Sequence, residues 1–172
     1  MEREKKLVEG ALFLSQEPVS EEELSRRLGI DREKVSLILS ELVLDYSERG
    51  IVLKKVAGGY RFFTAPELRE ELAGFVEERP VRLSRHLLEV LAIIAYNQPI
   101  TRKRIAQIRG QNPDGALKSL LEKGLIEVAG RENSPGRPKL YRTTKAFLEH
   151  FGLSSLAELP PIELEVEGGK ER

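Results

Sequence analysis

The 172-residue chain contains no cysteine. That removes disulfide cross-links and thiolate metal sites and suits a reducing compartment. Histidine is nearly as scarce: His86 and His150 are the only two. Neither stands at ligand spacing from another metal-binding side chain, so ordinary surface or half-buried roles are expected of both. No run approaches the roughly 18 apolar residues of a membrane span, and the charged start Met1-Glu2-Arg3-Glu4-Lys5-Lys6 has no signal-peptide apolar core. A soluble, intracellular protein is expected. Glycine-rich phosphate loops, Gly-x-Ser-x-Gly and metal motifs are missing, and the carboxylates of Glu21-Glu22-Glu23 read as helix-cap and solvated-face charges. No catalytic residue, cofactor or metal is therefore assigned, and an enzyme is not expected.

A repeat is what the chain does have. Ala11-Leu12-Phe13-Leu14-Ser15-Gln16-Glu17-Pro18-Val19-Ser20 returns 81 positions later as Ala92-Ile93-Ile94-Ala95-Tyr96-Asn97-Gln98-Pro99-Ile100-Thr101. Leu24 then matches Ile105, Gly29 matches Gly110 and Leu39 matches Leu120 at the same offset. Two copies are too few for a solenoid, so the repeat predicts tandem globular domains. The expected boundaries are 1–80, 81–158, and an acidic, glycine-containing tail, 159–172, too poor in apolar residues to bury a core and expected to be disordered.

Both copies order their elements alike. In the first, Leu7, Val8, Ala11, Leu12 and Leu14 recur at helical spacing. Ser20 caps a second helix that stops at Gly29, and Asp31 caps a third reaching about Arg49. Ile51 to Val56 and Tyr60 to Thr64 flank Gly58-Gly59 as a tight hairpin. The second copy places helices at about 84–96, 102–108 and 113–123, then a hairpin of Leu125–Arg131 with Lys139–Thr143 around a proline-bearing tip. A short helix is expected after each hairpin, Pro66–Glu78 and Lys145–Phe151. The expected fold is mainly α with small β-hairpin wings, an α+β chain of two tandem winged-helix domains. Gly50-Ile51 aligns with Gly124-Leu125 at an offset of only 74, so the first copy carries seven extra residues there, about two helical turns.

The net charge of zero conceals an asymmetry. Residues 1–80 hold 13 basic and 17 acidic side chains, a net of −4, whereas residues 81–158 hold 13 and 7, a net of +6. DNA contact through the basic half is expected to be weak at most. On the third helix of the first copy, Val35, Ile38, Leu39, Leu42, Val43 and Tyr46 share the core face, and Leu37 and Leu44 fall opposite, among Glu33, Glu41 and Glu48. An acidic face with exposed leucines repels phosphate and invites protein, and the shorter third helix of the second copy carries no Arg, Asn or Gln for bidentate base contacts. Leu37 and Leu44 are candidate homodimer contacts. The helix 85–97 is apolar almost all round, which suggests a partner segment along it. Tyr96, Arg102 and Arg109 are candidate rim residues of that docking surface.

The second copy carries a specific signature: Leu91-Ala92-Ile93-Ile94-Ala95-Tyr96-Asn97-Gln98-Pro99-Ile100-Thr101-Arg102, Ile108-Arg109-Gly110, Asp114-Gly115-Ala116-Leu117, Leu120-Leu121-Glu122-Lys123-Gly124-Leu125-Ile126, Pro135-Gly136-Arg137-Pro138, Phe147-Leu148-Glu149-His150-Phe151-Gly152-Leu153 and Leu159-Pro160-Pro161. Glu9-Gly10-Ala11-Leu12-Phe13 and Gly58-Gly59-Tyr60 extend it, more loosely, into the first copy. The chain thereby resembles the bacterial segregation and condensation protein B family, ScpB. The resemblance implies a non-catalytic subunit of the SMC condensin-like complex, cytoplasmic and nucleoid-associated, acting in chromosome condensation and segregation. It further implies a homodimer through the first domains that binds the kleisin ScpA mainly through the second, and the SMC ATPase through the kleisin. A winged-helix DNA-binding transcription regulator is the alternative, and preference for one operator would distinguish it.

Overall fold

Every hydroxyl residue expected to cap a helix does so. In the computed structural model, which describes residues 2–76 and 81–161, helix α1 spans Glu2–Leu14, α2 Glu21–Leu28 and α3 Arg32–Asp45. The Ser20 Oγ accepts the Glu23 N–H at 3.2 Å, and Gly29 ends α2 in the left-handed region at φ 67°. The repeat holds atom for atom. Thr101 accepts the Arg104 N–H at 3.2 Å to start α5, Arg102–Arg109, and Gly110 ends it at φ 77°.

Strands β1, Ile51–Val56, and β2, Gly59–Thr64, form the first hairpin, antiparallel with Val56 opposite Gly59. The second half runs α4, Arg85–Asn97, then a two-residue strand β3, Ile100–Thr101, α5, α6, Asp114–Glu122, and the hairpin β4, Ile126–Arg131, with β5, Lys139–Thr143. Helix α7, Lys145–Phe151, follows, starting on the Thr144 hydroxyl.

Strand β3 was not anticipated. It pairs with β5 through Ile100 opposite Tyr141, and its counterpart in the first half is the single bridge of Val19 to Tyr60, closed by two backbone hydrogen bonds of 3.0 and 2.8 Å. Both bridging pairs are again 81 residues apart. The longer tip of the second hairpin restores the register that the first half's longer third helix had shifted.

Two expectations need correction. Helix α3 stops at Asp45 instead of Arg49, because Tyr46 takes a non-helical conformation and tight turns fill the way to Gly50. At 14 residues against 9 for α6, it is longer by about 7.5 Å, less than the two turns expected. The helix expected at Pro66–Glu78 is, among the described residues, two 3-10 turns, Pro66–Leu68 and Ala73–Phe75. No residue of either turn is buried, so no packing stabilises a segment too short to be helical alone.

The apolar core is split. Val8, Leu12, Leu24, Val35, Ile38, Leu39, Leu42 and Leu53 belong to one buried cluster, with Val43 and Tyr46 packed on its edge. Val90, Leu91, Ile94, Ile105, Ala116, Leu120, Tyr141 and Phe147 belong to another. Residues 159–161, assigned above to the tail, are part of the fold: Leu159 packs against the second cluster. The remainder of that tail, 162–172, and residues 77–80 lie outside the described residues.

Candidate functional site

Two surfaces carry apolar side chains that neither core uses. The first lies over the seam between α1 and α3. Lys5 reaches Glu41 at 2.9 Å and Asp45 at 2.8 Å, Lys34 reaches Glu4 at 3.2 Å, and the Tyr46 hydroxyl donates to the Glu9 carboxylate. Hydrogen bonds to Asp45 and Glu41 hold the Lys5 ammonium above its ordinary pKa, and the bond to Glu9, helped by desolvation, raises the Tyr46 phenol. These pairs fasten the two helices side by side. Beyond the seam, Leu37 is 51% exposed and Leu44 73%, as the helical pattern predicted. A fold-back of the Pro66–Glu78 segment over this face, the alternative to cover by a partner, does not occur among the described residues, since both leucines stay exposed.

Phe13 and Leu14, at the C-terminal end of α1, are 77% and 82% exposed. The helical spacing of Leu7, Val8, Ala11, Leu12 and Leu14 does not put all five on one buried stripe. Only Val8 and Leu12 are buried there, and Leu7 is exposed. The signal was available: Leu7 and Leu14 are a heptad apart and turn away from Val8 and Leu12 at 100° per residue.

The second surface is an apolar groove of about 370 Å³ between α4 and α7, lined by Leu88, Leu91, Ala92, Ala95, Tyr96, Phe147, Phe151, Leu153, Leu159 and Pro160. Its lining carries almost no polar surface, so it suits an apolar segment better than a charged ligand. The Tyr96 hydroxyl donates to the Pro160 carbonyl at 2.6 Å and fixes the chain end over one side.

Of the three expected rim residues, the structure brings only Tyr96 to this groove. Arg102 forks onto Asp114, with its Nη2 2.9 Å from Oδ2, and so ties the start of α5 to the start of α6. That hydrogen bond holds the Asp114 carboxyl below the usual carboxylate range and raises Arg102. Arg109 is no rim residue at all: its side chain is 7% exposed, its Nη2 donates to His86 Nδ1, and its Nε lies 3.9 Å from Glu89. An arginine can lie on the polar stripe of a short helix and still be covered when the neighbouring helix is as close as α4 is here. His150 packs edge-on against Phe151, and among the described residues no group of His, Asp and Glu is arranged to hold a metal ion.

Residues 6–162 match the model of the family described as segregation and condensation complex subunit ScpB. The chain belongs to that family. The matched span covers both halves, both surfaces and the segment carrying Pro160. The segregation and condensation protein B of Symbiobacterium thermophilum is 43% identical over 163 residues, 94% of this chain and 74% of that protein. The one from Syntrophotalea carbinolica is 44% identical over 169 residues, 97% of this chain and 86% of that protein. Among solved structures, a conserved hypothetical protein from Chlorobium tepidum is 41% identical, with 88% of this chain and 97% of that one covered and a TM-score of 0.40. ScpB from Mycobacterium tuberculosis is 29% identical, with 88% and 96% covered and a TM-score of 0.41. None of these relatives bears an enzyme's name, and the family's role is that of a subunit in segregation and condensation. No described helix is long and apolar enough to cross a membrane.

Proposed function

We propose that the chain is a non-catalytic, kleisin-binding subunit of the bacterial SMC complex, organised as two winged-helix domains, 1–80 and 81–158. It acts as a homodimer joined through its first half and located in the cytoplasm on the nucleoid. The kleisin ScpA is its direct partner, and the SMC ATPase is reached through the kleisin. What supports this reading, beyond family membership, is the distribution of apolar surface: an exposed leucine face on α3 beside Phe13 and Leu14, and a separate apolar groove on the second half. A self-associating face and a groove for an amphipathic segment are the two features such a subunit needs. The groove lined by Tyr96 takes the place of the arginine rim as the kleisin-docking surface.

Co-expression with the kleisin followed by mass measurement tests the assignment. A complex containing two copies of this chain with the kleisin is expected, and a chain that elutes alone would sink it. DNA is expected to bind the free protein weakly and without sequence preference, with affinity falling steeply as salt rises. A tight complex with one operator at physiological salt would instead favour a transcription regulator.

A further inference from the structure

The two halves touch through an unusual contact. The turn of the first hairpin places Ala57 and Gly58 at φ 49° and 75°. Both of its backbone N–H groups point out of the hairpin: Ala57 donates to the Leu153 carbonyl at 2.8 Å and Gly58 to the Ser154 carbonyl at 2.9 Å. Arg61 of β2 stands 4.0 Å from Glu149 of α7. A polar cleft of about 330 Å³ lies beside this clasp, with Lys55 on one wall and Ser155 on the other. The two buried apolar clusters share no residue, so no common cluster joins the halves, and the clasp consists of two backbone hydrogen bonds and an ion pair, the more polar kind of contact found between domains.

The clasp lands on the α7 wall of the groove, where Leu153 packs against the second core. Leu153 gives its carbonyl to Ala57 and its side chain to the groove lining, and its N–H is fixed to the Leu148 carbonyl of α7 at 2.8 Å. Phe151, exposed at the end of the same helix, lines the groove as well. Across from them, Leu91 of α4 is buried in the core and cannot give way. A segment that widens the groove meets least resistance at the exposed Phe151 end of α7, and because Leu153 belongs to both groove and clasp, movement there draws the Leu153 and Ser154 carbonyls from the hairpin turn.

We infer that occupancy of the groove and the arrangement of the two halves are coupled through residues 151–154, so that an apolar segment bound between α4 and α7 releases the clasp and frees the halves to reorient. The first hairpin then senses a ligand it never touches. Coupling of this kind is reciprocal: locking the clasp must weaken binding in the groove by the same factor that filling the groove weakens the clasp.

The cysteine-free chain makes a direct test possible. Lys55→Cys and Ser155→Cys, introduced together into the full chain, should oxidise to an intramolecular disulfide faster than Lys55→Cys paired with Lys139→Cys, a position outside the clasp. Filling the groove from within, by Ala92→Phe at an exposed lining position or by Leu88→Trp elsewhere along it, should slow that oxidation at least about five-fold, the lower end of ordinary coupling between sites. Lys118→Ala, on the exposed face of α6 and outside both features, should leave the rate unchanged. Equal rates for the two cysteine pairs would show that the clasp does not form, and an unchanged rate in both groove-filled variants would remove the coupling. The measurement needs no kleisin, so its failure leaves the proposed function standing.

Discussion

Arg109 is where charge and packing conflict most. Its Nε and Nη1 are buried without a hydrogen-bond partner, while Glu89, which also pairs with Arg85 at 3.3 Å, stands 3.9 Å away. Arg109→Glu would bury a carboxylate beside Glu89 and lose the contact with His86. A loss of about 3 kcal/mol or more is expected, the cost of an uncompensated buried charge, read as a lower urea midpoint. Arg102→Glu, at an exposed pair, should cost far less, and comparing the two variants separates a structural from a surface arginine. The partner of Arg102 also predicts a pH dependence. The Asp114 carboxyl is held below its ordinary value by the Arg102 hydrogen bond, so its stabilising effect is present above the unfolded-state pKa and fades as pH falls through the folded value. Asp114→Asn should therefore show a smaller drop in urea midpoint than the parent between pH 6 and pH 2.5. Tyr46 carries the opposite sign. Its phenol is raised by Glu9, so its effect holds below the unfolded value and is lost as pH climbs through the folded one, and Tyr46→Phe should flatten the alkaline limb.

The element most sensitive to a single atom is the start of β2. A Cβ on Gly59 would lie 2.7 Å from the Val19 carbonyl carbon and 2.8 Å from that of Pro18, both backbone atoms with no freedom to rotate away. Gly59→Ala must push the Val19–Tyr60 bridge apart, at a cost of about 1–3 kcal/mol. Faster amide exchange at Val19 and Tyr60 should accompany it. The same pairing marks what the sequence could and could not disclose. Helix starts were legible because a hydroxyl cap has a local cause, and Ser20 and Thr101 carry it in the same place in both copies. The strand partner of β5 was not, because two residues have no periodicity and their pairing depends on a distant chain. The end of α3 at Asp45 was not legible either, because no glycine marks it and the turns from Tyr46 to Gly50 carry helix-compatible residues. The groove was half legible. The surplus of apolar residues along α4 pointed to it, but α7, Leu159 and Pro160 complete it only in three dimensions, and nothing local distinguished the buried Arg109 from a rim residue.

At the scale of the whole molecule, the question is what covers the leucine face. An intramolecular cover is excluded for the described residues, since Leu37 and Leu44 are exposed and the segment that would fold back forms two short 3-10 turns. Complete burial of such a side chain contributes roughly 1.5–3 kcal/mol. Two half-exposed leucines per chain, doubled by a twofold axis, give only part of what association costs, about 4–15 kcal/mol. Phe13 and Leu14, more exposed than either leucine, supply the remainder if the interface runs from α3 across the ion-paired seam to the end of α1. Of the acidic residues on that face, Glu41 is paired with Lys5, and Glu33 and Glu48 then have to find cations across the axis. Light scattering decides the matter. The parent chain should weigh as two copies, and Leu37→Asp with Leu44→Asp should give a folded single copy, as should Phe13→Asp with Leu14→Asp. A folded dimer in the first pair of changes would move the interface off α3, whereas a folded dimer in both pairs would place it elsewhere in the molecule altogether.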